Sequence, residues 1–254
     1  MDVNAEITRR RIQPALKNLY AGVMLILAID TALDACAAAV LDTSAGVIAQ
    51  ESLAMKRGHA EALMPLIARV MKASGVAFTA LDRIAATTGP GSFTGLRVGL
   101  SAARGIALAA GKPVIGVTTL TAFAAPMVSE NDEHPVIAAI DARHDHVYFH
   151  MVAGDGRSLI KPRVAPIAEA IDAAGFGAPH LVGNAAKILA DRWPVDVPPP
   201  FKVDQLSAPD ITWVAWLGAA VDPDSSPARP YYLRAPDVKP PKDPLSSAAR
   251  SSAS

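Results

Sequence analysis

The sequence predicts an α/β fold of two similar lobes, each a mixed sheet with helices. Two observations carry this. An order of apolar strand, aspartate, strand, turn, strand occurs twice, once from Leu25 and once from Val136. Asp30 and Asp141 end the first strand of each set, and Asp34 and Asp145 follow at the same spacing, as in a duplicated half. Helical segments come after each hairpin, the arrangement of a layered α/β protein. Length and composition fit: 254 residues, 51% of them apolar, suit one large or two modest domains with a sizeable core.

Taken in order, Leu25–Ile29 is a short apolar strand running into Asp30, and Ala35–Leu41 is a second. Asp42–Gly46 has turn composition, and Val47–Leu53 is a third strand. His59–Ser74 carries Leu63, Ile67, Val70 and Met71 on one helical stripe, with Pro65 in its first turns and Gly75 as its stop. Ile84–Ala86 is a strand end. A helix from Ser92 to about Ala110 follows it, and then a strand, Pro113–Val117. In the second set, Asp145–Val152 is the return strand, Gly154–Gly156 the turn and Ser158–Val164 the third strand. Ala165–Ala174 and Ala185–Arg192 read as helices around a strand at His180–Val182. Pro198–Pro200 is a break, and Ser207–Ala220 is a helix whose Trp213, Trp216 and Leu217 suit a core or lobe-packing face.

The ends differ from the middle. Arg9–Arg11 and Lys17 precede an apolar run from Leu19 to Ile29, the outline of an export signal. Asp30 and Asp34 interrupt it before a suitable cleavage site, and the run is too short to span a bilayer. The organisation expected is an N-terminal extension over residues 1–23, disordered or outside the natural chain, a lobe over 24–128, a second over 129–234 and a flexible tail over 235–254. Lys+Arg and Asp+Glu number 24 each, so the chain lacks the basic excess of a stand-alone nucleic-acid binder, though a local basic patch is compatible. The single cysteine, Cys36, excludes an internal disulfide and a cysteine metal cluster, and a cytoplasmic setting is expected.

The chemistry-bearing stretch is Thr87–Leu100. Gly89-Pro90-Gly91 forces a sharp turn, because glycine tolerates positive φ and proline fixes it near −65°. Ser92 is placed to cap the helix that follows. A glycine turn before a helix N-terminus suits an anion, since free N–H groups and the positive dipole end point out of it. A tight strand-to-helix turn that binds nothing is the equal alternative, as no Walker lysine follows. On the helix, Gly95, Gly99 and Ala103 fall four apart. They form a smooth stripe that would accept either another chain's helix or this chain's own sheet. His144, His146, Tyr148 and His150 would share one face of a strand, and no carboxylate or thiol is placed to complete a metal site with them.

Four motifs in order resemble the TsaB (YeaZ) family, whose members act in the pathway that places threonylcarbamoyl on adenosine 37 of tRNA. They are Ile26–Ala32, Gly89–Gly99, Ile137–Arg143 and Arg229–Arg234, and the resemblance spans about Met24 to Lys239. It makes Met24 the expected natural start. It implies the two-lobed actin–hexokinase–Hsp70 architecture, in which the two aspartates face a nucleotide between the lobes. It further implies a TsaD-like catalytic subunit and a TsaE-like ATPase as partners, a homodimer when alone, and tRNA engaged through the complex. In the catalytic TsaD relatives a Pro-Val-Ile-Gly-Val-type strand precedes metal-holding histidines. This chain has that strand at Pro113–Val117, but Thr119 and Phe123 stand where the histidines would be. No catalytic residue and no metal site are therefore expected.

The first phosphate turn reads Asp30-Thr31-Ala32, without the glycine that lets a backbone approach phosphate. Candidates for weak ATP or ADP binding with magnesium are Asp30, Thr31, Gly89, Gly91, Ser92 and Asp141. The competing reading has Asp30 bonding locally at its strand end. Candidate interface residues, from the two helices that pair with TsaD in the resembled family, are Leu63, Ile67, Val70, Gly95, Gly99 and Ala103. The functional expectation is a non-catalytic scaffold supporting a TsaD-like subunit. The alternative is an ATP-dependent kinase or hydrolase of the same superfold.

Overall fold

Among the described residues, two five-stranded sheets share the same winding. The computed structural model describes residues 22–128 and 133–234. The expectations for residues 1–21 and 235–254 lie outside the described residues. The first sheet contains β1 (Leu25–Asp30), β2 (Ala35–Asp42), β3 (Gly46–Ala54), β4 (Arg83–Gly89) and β5 (Val114–Thr118), in the order β3-β2-β1-β4-β5. The second contains β6 (Val136–Arg143), β7 (His146–Val152), β8 (Ser158–Pro166), β9 (His180–Gly183) and β10 (Lys202–Gln205), in the order β8-β7-β6-β9-β10. In each sheet the first three strands form an antiparallel meander, and the last two add in parallel. Parallel strands β4 and β9 both end on a glycine at φ +111°, Gly89 and Gly183. The duplication read from the sequence is thus present in topology, and the architecture is of the actin–hexokinase–Hsp70 type.

The first sheet is buried on both faces, which explains why β2 reads as an unbroken apolar run. Leu27, Ile29, Cys36, Ala38, Val40 and Ile84 point to helices α1 (His59–Ser74) and α2 (Phe93–Ala110). Their neighbours Ile26, Ala28, Ala37, Ala39, Leu41 and Ala85 point the other way, the period-2 alternation of a strand. Helix α1 ends at Gly75, whose left-handed φ of 67° sends its N–H to the Lys72 carbonyl, the C-cap expected of it.

Two helices pack across the lobes. The short helix α3 (Thr119–Ala124) follows β5 but lays Leu120 and Phe123 against Val136, Ala138 and Ile140 of the second sheet. Helices α4 (Ile167–Ile171) and α5 (Ala186–Ala190) cover the other side of that sheet. The last helix, α6 (Ile211–Ala220), returns to the outer face of the first sheet. It is apolar nearly all round, and Trp213, Val214, Ala215 and Trp216 are all buried, in keeping with the core or lobe-packing place expected for its tryptophans. Arg83 Nη1 closes its C-terminus by donating to the carbonyls of Gly218, Ala219 and Val221 at 3.3, 3.1 and 2.8 Å.

Three predicted helices are shorter than their composition suggested. Strand β8 runs on to Pro166, so α4 starts only at Ile167 and tightens into a 3-10 turn from Asp172. Helix α5 is a single turn and a half. Helix α6 begins at Ile211 and not at Ser207, because Asp210 caps it by accepting from the Thr212 N–H at 2.9 Å. Alanine-rich sequence favours helix by propensity, and tertiary strand pairing and capping decide the ends.

Candidate functional site

The turn after β1, the end of β4 and the start of α2 meet at one point. Asp30 is fully buried there. Its Oδ1 accepts from Thr87 Oγ1 at 2.6 Å and from the Ala32 N–H at 3.0 Å, and its Oδ2 has no hydrogen-bond partner. Burial pushes its carboxyl above the usual carboxylate range, opposed by those hydrogen bonds and by His59 nearby. Thr31 Oγ1 donates to the Gly95 carbonyl at 2.7 Å.

Glycines in this region are explained by the closeness of those contacts. A Cβ on Gly91 would stand 2.3 Å from the Ala32 carbonyl oxygen. On Gly95 it would stand 2.1 Å from the Thr31 carbonyl oxygen, and on Gly99 2.4 Å from Thr31 Oγ1. The small-residue stripe therefore seats α2 on its own chain's β1 turn, and Gly95, Gly99 and Ala103 are buried. Leu63, Ile67 and Val70 are likewise core, at 1, 0 and 2% exposure. The expectation that these six form an intermolecular face is corrected: they are the intramolecular seam between the two helices and the sheet.

Ser92 caps α2 as expected, accepting from the Gly95 N–H at 3.2 Å. Its own N–H, one of those that would greet a phosphate, donates to the Ala32 carbonyl at 2.7 Å. Gly89 abuts Leu96 and the Tyr231 carbonyl. In the second lobe Asp141 is exposed and locally bonded: its N–H donates to Asn184 Oδ1 at 2.8 Å, and its Oδ1 accepts from the Arg143 N–H at 2.7 Å. Of the nucleotide candidates, the structure brings together Asp30, Thr31, Gly91 and Ser92, and it fills the turn with Ala32. These residues do not fit a magnesium nucleotide, since the carboxylate is sealed and the turn amide is already bonded.

Thr119 and Phe123 lie in α3, at 0 and 1% exposure, and Phe123 belongs to the apolar cluster between the lobes. Of the expected histidine face only His144 is lost, to a turn of three left-handed residues with Arg143 and Asp145; His146, Tyr148 and His150 share one face of β7, and His150 is buried with Nε2 3.1 Å from Ser158 Oγ. Among the described residues no group of three or more His, Cys, Asp or Glu could hold a metal ion. No described helix is long and apolar enough to cross a membrane.

Sequence reasoning missed the use made of residues 226–234. They form a strap over the first lobe. Ser226 exchanges hydrogen bonds with Gly116, and Pro227 bridges to Ile115 at the β5 edge. Arg104 Nε holds the Ala228 carbonyl at 3.1 Å, and the Tyr231 N–H donates to Thr88 at 2.8 Å. Leu233 packs on the cluster between the lobes. The strap thus carries the Arg229–Arg234 motif to the glycine turn. The run of two tyrosines between arginines was the only local signal, and it does not encode a partner more than a hundred residues away.

The family model described as TsaD: tRNA N6-adenosine threonylcarbamoyltransferase matches residues 37–214. The tRNA threonylcarbamoyladenosine biosynthesis protein TsaB of Escherichia coli is 40% identical over 126 residues, covering 50% of this chain and 54% of that protein. A protein of uncharacterised function from Mycobacterium tuberculosis is 30% identical over 218 residues, covering 85% of this chain and 94% of that one. The solved structure of YeaZ from Pseudomonas aeruginosa superposes with a TM-score of 0.67 at 28% identity, over 83% of this chain and 100% of that one. The chain spans about half the length of the TsaB relatives it matches.

Proposed function

The chain belongs to the TsaB (YeaZ) family, and from that premise we propose that it is a non-catalytic subunit in the formation of N6-threonylcarbamoyladenosine on tRNA. It supports a TsaD-like catalytic subunit, and a TsaE-like ATPase completes the set. The observation that carries this reading is α3. A threonine and a phenylalanine, both buried and the phenylalanine within an apolar cluster, occupy the positions that would need imidazoles to hold a catalytic metal. The buried Asp30 and the Ala32-filled turn weigh against the kinase or hydrolase alternative. The assembly works in the cytoplasm, where its tRNA substrate is.

Pairing uses the outward side of α1 and α2, since their inward side is core. Ala60, Met64 and Ala68 are exposed on α1, and Ser101, Gly105 and Leu108 on α2. Leu108 is 85% exposed and Met64 51%, both costly on a surface that nothing covers. A homodimer through this face forms when the chain is alone, and a TsaD-like subunit displaces one copy. Light scattering of the chain, with and without the TsaD-like subunit, tests this. Homodimer should convert to heterodimer, and Leu108→Asp should weaken both. A strict monomer at high concentration, or a TsaD-like subunit bound to an intact homodimer, would contradict it.

A further inference from the structure

His150 is a buried histidine that the packing of neither lobe explains. Its strand neighbours Phe149 and Met151 point into the core of the second lobe, so its ring lies on the opposite face of β7. On that face Val152, Tyr148 and its cross-strand partner Ala138 belong to the apolar cluster between the lobes or pack against it. The ring is 8% exposed, and its Nδ1 is sealed from water with no hydrogen-bond partner among the described residues. A buried polar atom left in this way is costly, and an apolar side chain would fill the place without that cost. The hydrogen bond that the ring does make is to Ser158, the first residue of β8, with Nε2 3.1 Å from Oγ.

Ser158 is exposed, so the contact joins a hydroxyl open to solvent with an imidazole that is not. Strand register holds the two together, since Val152 pairs with Ser158 across the β7–β8 hairpin. Burial pushes the His150 ring below the usual histidine range, so at pH 7 it is neutral and keeps a lone pair. With the ring proton on Nδ1, that lone pair is on Nε2 and faces the Ser158 hydroxyl. A serine hydroxyl within hydrogen-bond reach of a neutral base is an activated nucleophile. Acyl transfer is the reaction that these two groups perform together.

We propose that Ser158 is a nucleophile with His150 as its general base, and that the pair takes an acyl group from an activated ester or mixed anhydride. Ser158 Oγ attacks the acyl carbonyl carbon and forms the new O–C bond, while its proton passes to His150 Nε2. The bond from that carbon to the leaving oxygen then breaks. The leaving group departs with the proton from Nε2, which restores the neutral ring. Water releases the acyl group by the same route and regenerates the hydroxyl. The activated donor favours the first step, and the second acts on an ordinary ester, so the acyl-serine accumulates. This chemistry is separate from the tRNA-modifying role, to which the chain brings no catalytic group.

The test uses p-nitrophenyl acetate and the full chain, followed by p-nitrophenolate release, intact mass and peptide mapping. A burst should appear, with the acetyl group mapped to Ser158. Ser158→Ala, a change at an exposed position, should abolish it. His150→Gln should slow it about 100-fold or more, the share of a general base, whereas His146→Gln should not. Melting temperatures confirm that each variant folds. The wild type also gives a readout that needs no substitution. Its burst rate should rise through one ionisation, centred below the ordinary histidine value of 6.5, and then level off, because the base works once it has lost its proton. A hydrogen bond that only closes the hairpin would give no such profile. Acetyl groups on lysines with Ser158 unmodified overturn the proposal. So does a burst that survives Ser158→Ala, or a rate that climbs with pH and never levels off.

Discussion

Two glycines ten residues apart on α2 make opposite predictions for the same substitution. A Cβ at Gly95 would lie 2.1 Å from the Thr31 carbonyl oxygen, against about 3.4 Å for ordinary contact. The helix or the β1 turn must therefore shift by roughly 1 Å, which also breaks the hydrogen bond from Thr31 Oγ1 to the Gly95 carbonyl. Overpacking of this kind costs about 1–3 kcal/mol and the hydrogen bond about 1 kcal/mol. The better helix propensity of alanine returns about 0.5–1 kcal/mol. Gly95→Ala should then destabilise by about 1–3 kcal/mol and lower the melting temperature by roughly 3–10 °C. Gly105 is exposed and a Cβ there meets nothing within 4 Å. Gly105→Ala should gain about 0.5–1 kcal/mol and raise the melting temperature by roughly 1–4 °C. Thermal unfolding followed by circular dichroism reads both. If Gly95→Ala melts at or above the wild type, α2 does not rest on the Thr31 turn, and the account of the glycine stripe is refuted.

Asp30→Asn tests the sealed carboxyl. The folded chain holds that proton above its ordinary value of 3.8, so the associated stability is full below pH 4 and is lost as pH rises through the raised folded value. Asparagine does not ionise; the variant should match or exceed wild-type melting at pH 8 and lose that advantage at pH 4, and the opposite trend would show a charge-requiring role. Arg83→Gln removes the cation that closes α6, and should cost about 1–3 kcal/mol in a urea midpoint with unchanged m-value. An unchanged midpoint would mean that water caps the helix as well. Cys36 is buried with its thiol pushed up to about 11 by desolvation, so it should resist alkylation at pH 8 until the chain unfolds; rapid labelling of the folded chain would contradict the placement.

The two hairpin sets and their duplication were legible because short apolar runs and paired aspartates are local signals, whereas β10, Lys202–Gln205, carries too little apolar sequence to read as a strand. So were the caps at Ser92 and Gly75, where a residue type answers a backbone need within a few positions. The crossing helices were not, because nothing in Thr119–Ala124 or Ile211–Ala220 says which sheet it covers; apolar faces carry no address. The stripe of Gly95, Gly99 and Ala103 was read correctly as a close-approach surface, but its partner was left open between this chain and another. Only three-dimensional proximity to Thr31 decides it, and 64 residues separate Thr31 from Gly95. The turn after Asp30 showed the same limit. Ala32 in place of glycine was visible, while the hydrogen bond from Ser92 that closes the turn was not.

The central claim, a subunit that is required and yet contributes no catalytic group, meets its most direct test in a reconstituted tRNA-modifying reaction run with this chain, without it, and with Leu108→Asp in its place. Threonylcarbamoyladenosine should form with the full set, fall sharply when the chain is omitted or carries Leu108→Asp, and never form from the chain alone. Full product without the chain, or product from the chain by itself, would contradict the account.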